Sequence, residues 1–245
     1  MKLPLLRSLI RRRLLVNFRV SRQVIQRLLP APFRPQLVEG QAIAGVCLIH
    51  LEHVRPAFLG NLPFGIHSQN AAHRIAVEWD DAEGALQRGV FITRRDTGSR
   101  LVSLAGGRLF PGSHHRARFE VREDERSLEL TMASDDGIEI GLRGATADAL
   151  PAGSCFASLA ESSAFFEAGA LGYSPARRPG KIEGFRLETP EWKVSPFALE
   201  EVHASFYEDA TTFPSGSVTF DHALVMRNAD SHWRTVPDLS LDSGT

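Results

Sequence analysis

Apolar and polar residues alternate along most of this chain with a period of two, the spacing of strands that bury one face. His73, Ile75, Val77 and Trp79 share one parity, while Arg74, Glu78 and Asp80 share the other. Ala117, Phe119 and Val121 alternate with Arg116, Arg118, Glu120 and Arg122. Leu128, Leu130 and Met132 face Ile138, Ile140 and Leu142 across Asp135-Asp136-Gly137, which predicts a hairpin. Its opposite parity carries Glu129, Glu139 and Arg143, so one face should be wet. Further strands are expected over 14–20, 88–93, 184–189, 192–194, 203–207 and 218–226. Residues 40–51 are apolar on both parities, which predicts a strand covered on both sides.

Helical signals are few. Ser21 is placed to cap a helix reaching Leu29, with Val24, Ile25, Leu28 and Leu29 on one face and Pro30, Pro32 and Pro35 beyond its end. Ser158-Leu159-Ala160-Glu161 has the capping-box spacing and should open a helix to about Ala168. Loops are expected between His53 and Gln69 and over 177–180, and the polar stretch from Asn228 reads as a loose tail. No repeat or linker divides the chain. The expectation is one α+β domain over 1–245, with a core over about 11–227 and a tail over 228–245. Its frame should be a large curved or closed antiparallel sheet.

Composition narrows the function classes. A formal net charge of −1 supplies no general pull toward nucleic acid or an anionic membrane. No run approaches the roughly 20 apolar residues of a spanning helix. The order of basic and apolar residues in 1–15 is the reverse of a secretory leader, so a cytoplasmic protein is expected. Cys47 and Cys155 read as buried thiols without metal-ligand spacing. Lysine occurs only at Lys2, Lys181 and Lys193, which leaves few amines for Schiff-base chemistry.

The densest candidate chemistry lies over 89–119. There Arg94, Arg95, Asp96, Ser99 and Arg100 follow an apolar run, and His114-His115 opens the next strand. Polar residues gathered at a strand end are the usual material of a binding site. Asp96 is read as the structural partner of one arginine, or the cluster as an arginine fork that receives a ligand carboxylate or other oxyanion, and both hold if Asp96 orients Arg95 and leaves Arg100 for the ligand. His73, His115 and His222 share parity with apolar neighbours and should point inward. They are read as separate core histidines, as a shared pocket with proton transfer, or as a metal set, and the last lacks local ligand spacing. Neither a metal nor a cofactor is expected. Lys193, Ser154-Cys155, Ser162-Ser163 and Gly106-Gly107 lack the context of a catalytic motif.

Several segments resemble the uncharacterised YqjF-like family (DUF2071) of the acetoacetate decarboxylase-like superfamily. They are Leu28-Leu29-Pro30-Ala31-Pro32-Phe33, Asn70-Ala71-Ala72-His73-Arg74, Arg94-Arg95-Asp96-Thr97 with Ser99-Arg100-Leu101, Gly107-Arg108-Leu109-Phe110-Pro111-Gly112 with His114-His115, and PSGSVTFDHALVM at 214–226. The resemblance implies a cone-shaped closed β-barrel with outer helices and a central small-molecule pocket. It also implies that the decarboxylases' Schiff-base lysine would fall just after the strand at 89–93, where this chain has arginines. Arginine stays protonated and cannot replace that nucleophile. The superfamily's substrate-binding arginine maps near Arg11, and its pocket glutamate near Gln69 or Asn70.

The leading expectation is a pocket for an anionic, oxo-acid-like metabolite, bound by Arg11, Gln69, Asn70, Arg95, Asp96, Ser99, Arg100 and His222. Any chemistry would be of the lyase, dehydratase or isomerase type, with His73 and His115 as candidate acid–base groups and no covalent lysine. A non-catalytic ligand sensor on the same fold is the alternative. A basic-arm interaction module built on Arg11-Arg12-Arg13 is the third reading. No nucleic-acid or membrane partner is expected, and the sequence leaves a homo-oligomer open.

Overall fold

Long strands form here because their sequences are apolar on both parities. The computed structural model describes residues 5–60, 65–105, 112–176 and 180–240. In its first half β1 (Leu6–Val20) leads through α1 (Arg22–Leu28), β2 (Arg34–Pro35) and β3 (Leu37–Val38) to β4 (Gln41–Pro56). A 3-10 turn at Ala57–Leu59 precedes β5 (Ile66–Asp80), β6 (Leu86–Thr97) and α2 (Arg100–Ala105). The second half runs β7 (His114–Glu123), β8 (Ser127–Ser134), β9 (Glu139–Thr146), α3 (Leu159–Ala168), β10 (Leu171–Pro175) and β11 (Lys181–Glu188). It ends in β12 (Ser195–Ala204), α4 (Ser205–Glu208) and β13 (Val218–Ser240).

All thirteen described strands belong to one sheet. Its path runs β11-β10-β6-β7-β8-β9-β12-β13-β1-β4-β5-β2, with β3 on β4, and the extra pairings β11–β13 and β5–β6 close it into a ring. Pairing is antiparallel except at β6–β7 and β6–β10, which are parallel. The chain reaches β7 from β6 through the crossover that contains α2, as a parallel pair requires.

The central strands separate two cores. Leu14 and Val16 of β1, Val46 and Leu48 of β4, and Ala71 and Ile75 of β5 join one cluster with Leu130, Ile140 and Phe197. Their neighbours of opposite parity, Leu15, Cys47, Ile49 and Ala76, join the other with Phe166, Phe185, Leu187 and Leu224. β4 is therefore apolar on both faces because both faces are packed. Each fully buried aliphatic side chain adds about 1.5–3 kcal/mol. Gly45 is required where β1 crosses β4, since a Cβ there would overlap the Val16 carbonyl oxygen. The expected hairpin forms as β8 and β9, with Gly137 at φ 90°. At α3 the Ser158 hydroxyl accepts the Glu161 amide at 3.1 Å while Glu161 Oε2 accepts the Ala157 amide at 2.8 Å.

Other expectations need correction. The stretch from Asn228 is no loose tail, because β13 continues to Ser240 with β1 on one side and β11 on the other. Its polarity is spent inside the sheet: Ser231 Oγ lies 2.7 Å from Ser8 Oγ, and Trp233 stacks on Phe185 at 5.7 Å. β13 changes partner from β12 to β11 between Val225 and His232, and Asn228 at φ 53° makes the bend. Arg94, Arg95 and Asp96 lie within β6, before its end. Residues 192–194 are not a strand, and Ser205 to Tyr207 belong to α4. Ser21 Oγ donates to Gln23 Oε1 and caps no helix amide. Gly106-Gly107, the 107–111 part of the resemblance and most of the 177–180 loop lie outside the described residues.

Candidate functional site

One row of side chains crosses the sheet perpendicular to the strands. Leu15 of β1 pairs with Cys47 of β4, Cys47 with Ala72 of β5, Ala72 with Arg95 of β6, and Arg95 with His114 of β7. The neighbouring row runs Arg13, Ile49, Asn70 and Thr97. Adjacent strands are about 4.8 Å apart, so the backbones of Cys47 and Arg95 stand roughly 10 Å apart with only the Ala72 methyl between them. A small residue flanked by a cysteine and an arginine leaves a hollow. A cavity of about 80 Å³ lies there, lined by Arg13, Cys47, Asn70, Ala72, Arg74, Arg95, Asp96 and His114 among others, with apolar walls from Ile49, Ile92, Phe185 and Leu187. That volume exceeds the space one water needs by several-fold.

The charge balance of this cavity is unusual. Arg74 is 4% exposed and Arg95 is 8% exposed. Arg74 Nη2 donates to Asn17 Oδ1 at 2.6 Å, and its guanidinium lies 4.8 Å above the Phe166 ring. Arg95 Nη2 donates to Ser174 Oγ at 2.9 Å, and its guanidinium lies 4.7 Å above the Phe185 ring. Neither Nε has a partner among the described residues, and no ion pair there reaches either side chain. Burial lowers both pKa values to about 10, while interaction with Cys47 works in the other direction for each, joined at Arg95 by the Glu183 carboxylate. Both remain cationic at neutral pH. Removing an ion from water costs several kcal/mol, and among the described residues no carboxylate pairs directly with either group, Glu183 acting on Arg95 only from beyond ion-pair distance.

Asp96 borders the cavity, but its carboxylate is held by Arg94, which donates through Nε at 3.0 Å and Nη2 at 2.7 Å. Arg94 also donates from Nη1 to Asp136 at 2.8 Å. Burial raises the Asp96 pKa, against the pull of Arg94. Asn70 is fully engaged: its Nδ2 donates to Ser68 Oγ at 2.9 Å and its Oδ1 accepts from Thr97 Oγ1 at 2.8 Å.

Of the residues expected from sequence to bind the ligand or transfer protons, Asn70, Arg95 and Asp96 line this cavity and the others lie elsewhere, while Arg13, Cys47 and His114, noted in sequence without that role, line it too. Arg11 is exposed and bonds Asn228, whereas Arg13, two positions on, faces the cavity. Gln69 turns to the other face and accepts from Arg12 at 2.8 Å. Ser99 Oγ accepts the Val102 amide at the start of α2, and Arg100 is exposed. Asp96 therefore orients Arg94, and Arg95 is oriented by Ser174 and Phe185. His115 is half exposed and meets Asp136 at 3.0 Å. His73 belongs to the opposite core, against Phe206 at 4.5 Å, and burial followed by the nearby Arg94 lowers its pKa to about 3. It is neutral at physiological pH and away from the cavity. The three histidines share no site.

His222 sits in a network that parity could not show. Arg74 fixes the Asn17 amide, whose Nδ2 then donates to His222 Nε2 at 3.2 Å. That places the ring proton on Nδ1, which donates to Asp221 Oδ2 at 2.5 Å. Burial works against the Asp221 carboxylate, but bonds from His222, the Cys155 amide and Ser154 outweigh it and hold its pKa at about 2. Ser162 Oγ lies 2.8 Å from His222 Nε2, yet Ser162 and His222 are both 0% exposed, so the arrangement supports Arg74 from behind. The Arg11-Arg12-Arg13 run disperses over the sheet: Arg11 is exposed, Arg12 is 1% exposed on Glu123, and Arg13 faces the cavity. Sequence reasoning missed Arg74 because it alternates with Glu78 and Asp80 and so read as part of a wet face.

The fold has clear relatives. The acetoacetate decarboxylase-like enzyme from Sphingomonas wittichii RW1 superposes with a TM-score of 0.58 at 16% identity, covering 98% of this chain and 94% of that one. Acetoacetate decarboxylase from Legionella pneumophila gives 0.58 at 13% identity, over 95% and 87%. The enduracididine biosynthesis enzyme MppR complexed with pyruvate gives 0.60 at 9% identity, over 99% and 91%. Identities this low carry the fold alone. No curated protein matches the sequence. The family profile described as DUF2071, uncharacterized conserved protein, matches residues 8–225, and the chain belongs to that family, on an acetoacetate decarboxylase-like fold.

Proposed function

We propose that the cavity binds a small carboxylated, oxo-acid-like anion through Arg95 and Arg74. The observation that carries this reading is the pair of buried guanidiniums that make no direct ion pair among the described residues. An anion placed between them would supply the missing charge and accept from the unpartnered Nε atoms. A fold-relative complexed with pyruvate supports the ligand class. Two free buried cysteines fit a reducing, cytoplasmic setting.

Where the bound acid reacts, the proton carrier is His114 at the cavity edge, which suits lyase, dehydratase or isomerase chemistry without a lysine. The rival reading is a ligand receptor on the same site, favoured by the two-point hold of Arg94 on Asp96. Calorimetric titration with pyruvate tests the binding. The wild-type chain is expected to bind, and Arg95→Met to bind at least tenfold more weakly, since a charge-assisted hydrogen bond contributes about 1.5–3 kcal/mol. The variant should melt close to the wild-type chain, because relief of the buried ion's desolvation offsets the lost Ser174 bond and Phe185 contact. A wild-type chain that binds neither pyruvate nor oxalate rejects the proposal. Loss of the pyruvate methyl proton signal in deuterium oxide, faster than without protein, selects the enzyme over the receptor.

A further inference from the structure

We infer that Cys47 is a nucleophile of this cavity, adding reversibly through its sulfur to the carbonyl carbon of an oxo acid whose carboxylate is held by Arg95 and Arg74. The inference rests on the anion-binding reading above and goes beyond it to a covalent step. Three observations converge on it. Cys47 lines the cavity in the same cross-strand row as Arg95, with only Ala72 between them. Arg74 lines the same cavity, on β5 opposite Gly45, two residues before Cys47 on β4. Arg74 and Arg95 are both more than nine-tenths buried and present an unpartnered Nε.

The geometry divides the labour. A carboxylate drawn to Arg95 and Arg74 leaves its adjacent carbonyl over the Ala72 methyl, toward β4, where the thiol stands. The thiolate sulfur attacks the carbonyl carbon and the carbon–sulfur bond forms. The carbonyl π pair moves to oxygen, which takes up the proton that the thiol released. The product is a hemithioketal, with no change of oxidation state and no further reactant. This step anchors a substrate covalently in a chain whose strand presents arginine where an amine would be needed for an imine.

Cys155 is an internal control. It is buried near Asp221, outside the cavity lining, and burial followed by that carboxylate raises its pKa to about 12. Native wild-type chain treated with iodoacetate at neutral pH should be alkylated at Cys47 at least tenfold faster than at Cys155, as read by peptide mass. Pyruvate should slow that labelling at least tenfold. Carbon-13 spectra with [2-13C]pyruvate should show a protein-bound tetrahedral carbon, distinct from pyruvate hydrate and missing in C47A. If pyruvate and oxalate both bind the wild-type chain while bound pyruvate keeps a trigonal C2, covalent capture is overturned and anion binding stands. If neither acid binds, both readings fall. Equal iodoacetate labelling of the two cysteines, a measurement independent of how C47A folds, also overturns the nucleophile.

Discussion

At the scale of single residues, five arginines of the sheet take four different roles. Arg11 reaches solvent, Arg12 is 1% exposed on Glu123, Arg94 bridges Asp96 and Asp136, and Arg74 and Arg95 face the cavity without a direct ion pair among the described residues. Side-chain direction decides each role, and a one-residue step in a strand reverses it. His73 shows the same principle in its titration. Its folded pKa of about 3 lies below the ordinary histidine value of 6.5, so the unfolded chain takes up a proton first as pH falls. Stability attributable to this site is fully present above about pH 6.5 and is lost as pH drops toward 3, with a slope approaching roughly 1 kcal/mol per pH unit. Denaturant unfolding followed from pH 7 to pH 4 should therefore fall less steeply for His73→Gln than for the wild-type chain. Parallel curves would mean that His73 is not the buried neutral group described.

At the scale of elements, alternation exposed the strands but left open what lay behind each face. The hairpin of β8 and β9 was legible because Asp135-Asp136-Gly137 demands a turn and its wet face truly meets water. The capping of α3 was legible because Ser158 and Glu161 act within one helical turn. The cavity was not, because it depends on which residues lie opposite one another across β4, β5 and β6, and register is a long-range property. Gln69 and Asn70 could not be told apart in sequence for the same reason: adjacent strand residues face opposite cores. Arg13, and not Arg11, faces the cavity, and β1 has a register irregularity between Ile10 and Arg12, at Arg11 itself, that the sequence does not show. The role of Ala72 gives the sharpest test of that register. Ala72→Leu should fill the hollow between Cys47 and Arg95, lowering pyruvate affinity at least tenfold. Stability should change by about 1 kcal/mol or less, since the added methylenes enter existing space rather than a packed wall. Undiminished binding by a folded Ala72→Leu chain would place the ligand elsewhere.

At the scale of the whole molecule, the ring exists because β13 serves three neighbours. Its first half pairs with β12, its second with β11, and β1 runs beside both. Lys181 through Glu188 on β11 pair with β10 on one side and, on the other, with residues beyond Asn228, so the circuit of strands through β10 and β11 closes on the polar stretch whose composition suggested a tail. The same closure encloses the cavity, for Trp233 of β13 and Phe185 and Leu187 of β11 form part of its wall. Ending the chain at Asn228 would strip β11 and the Leu6–Ile10 end of β1 of a partner and expose Phe185, Leu187 and Leu6. Two unpaired edges and an opened apolar core are expected to cost on the order of the 5–15 kcal/mol that holds a domain together. Such a chain should aggregate or elute as an expanded species in size-exclusion chromatography, and should lose cooperative unfolding. A truncated chain that stays monomeric with the wild-type denaturation midpoint would show that β10 and β11 hold their place without the second half of β13. The cavity wall would then have to be held by the remaining strands alone, which their ladder pairings do not provide.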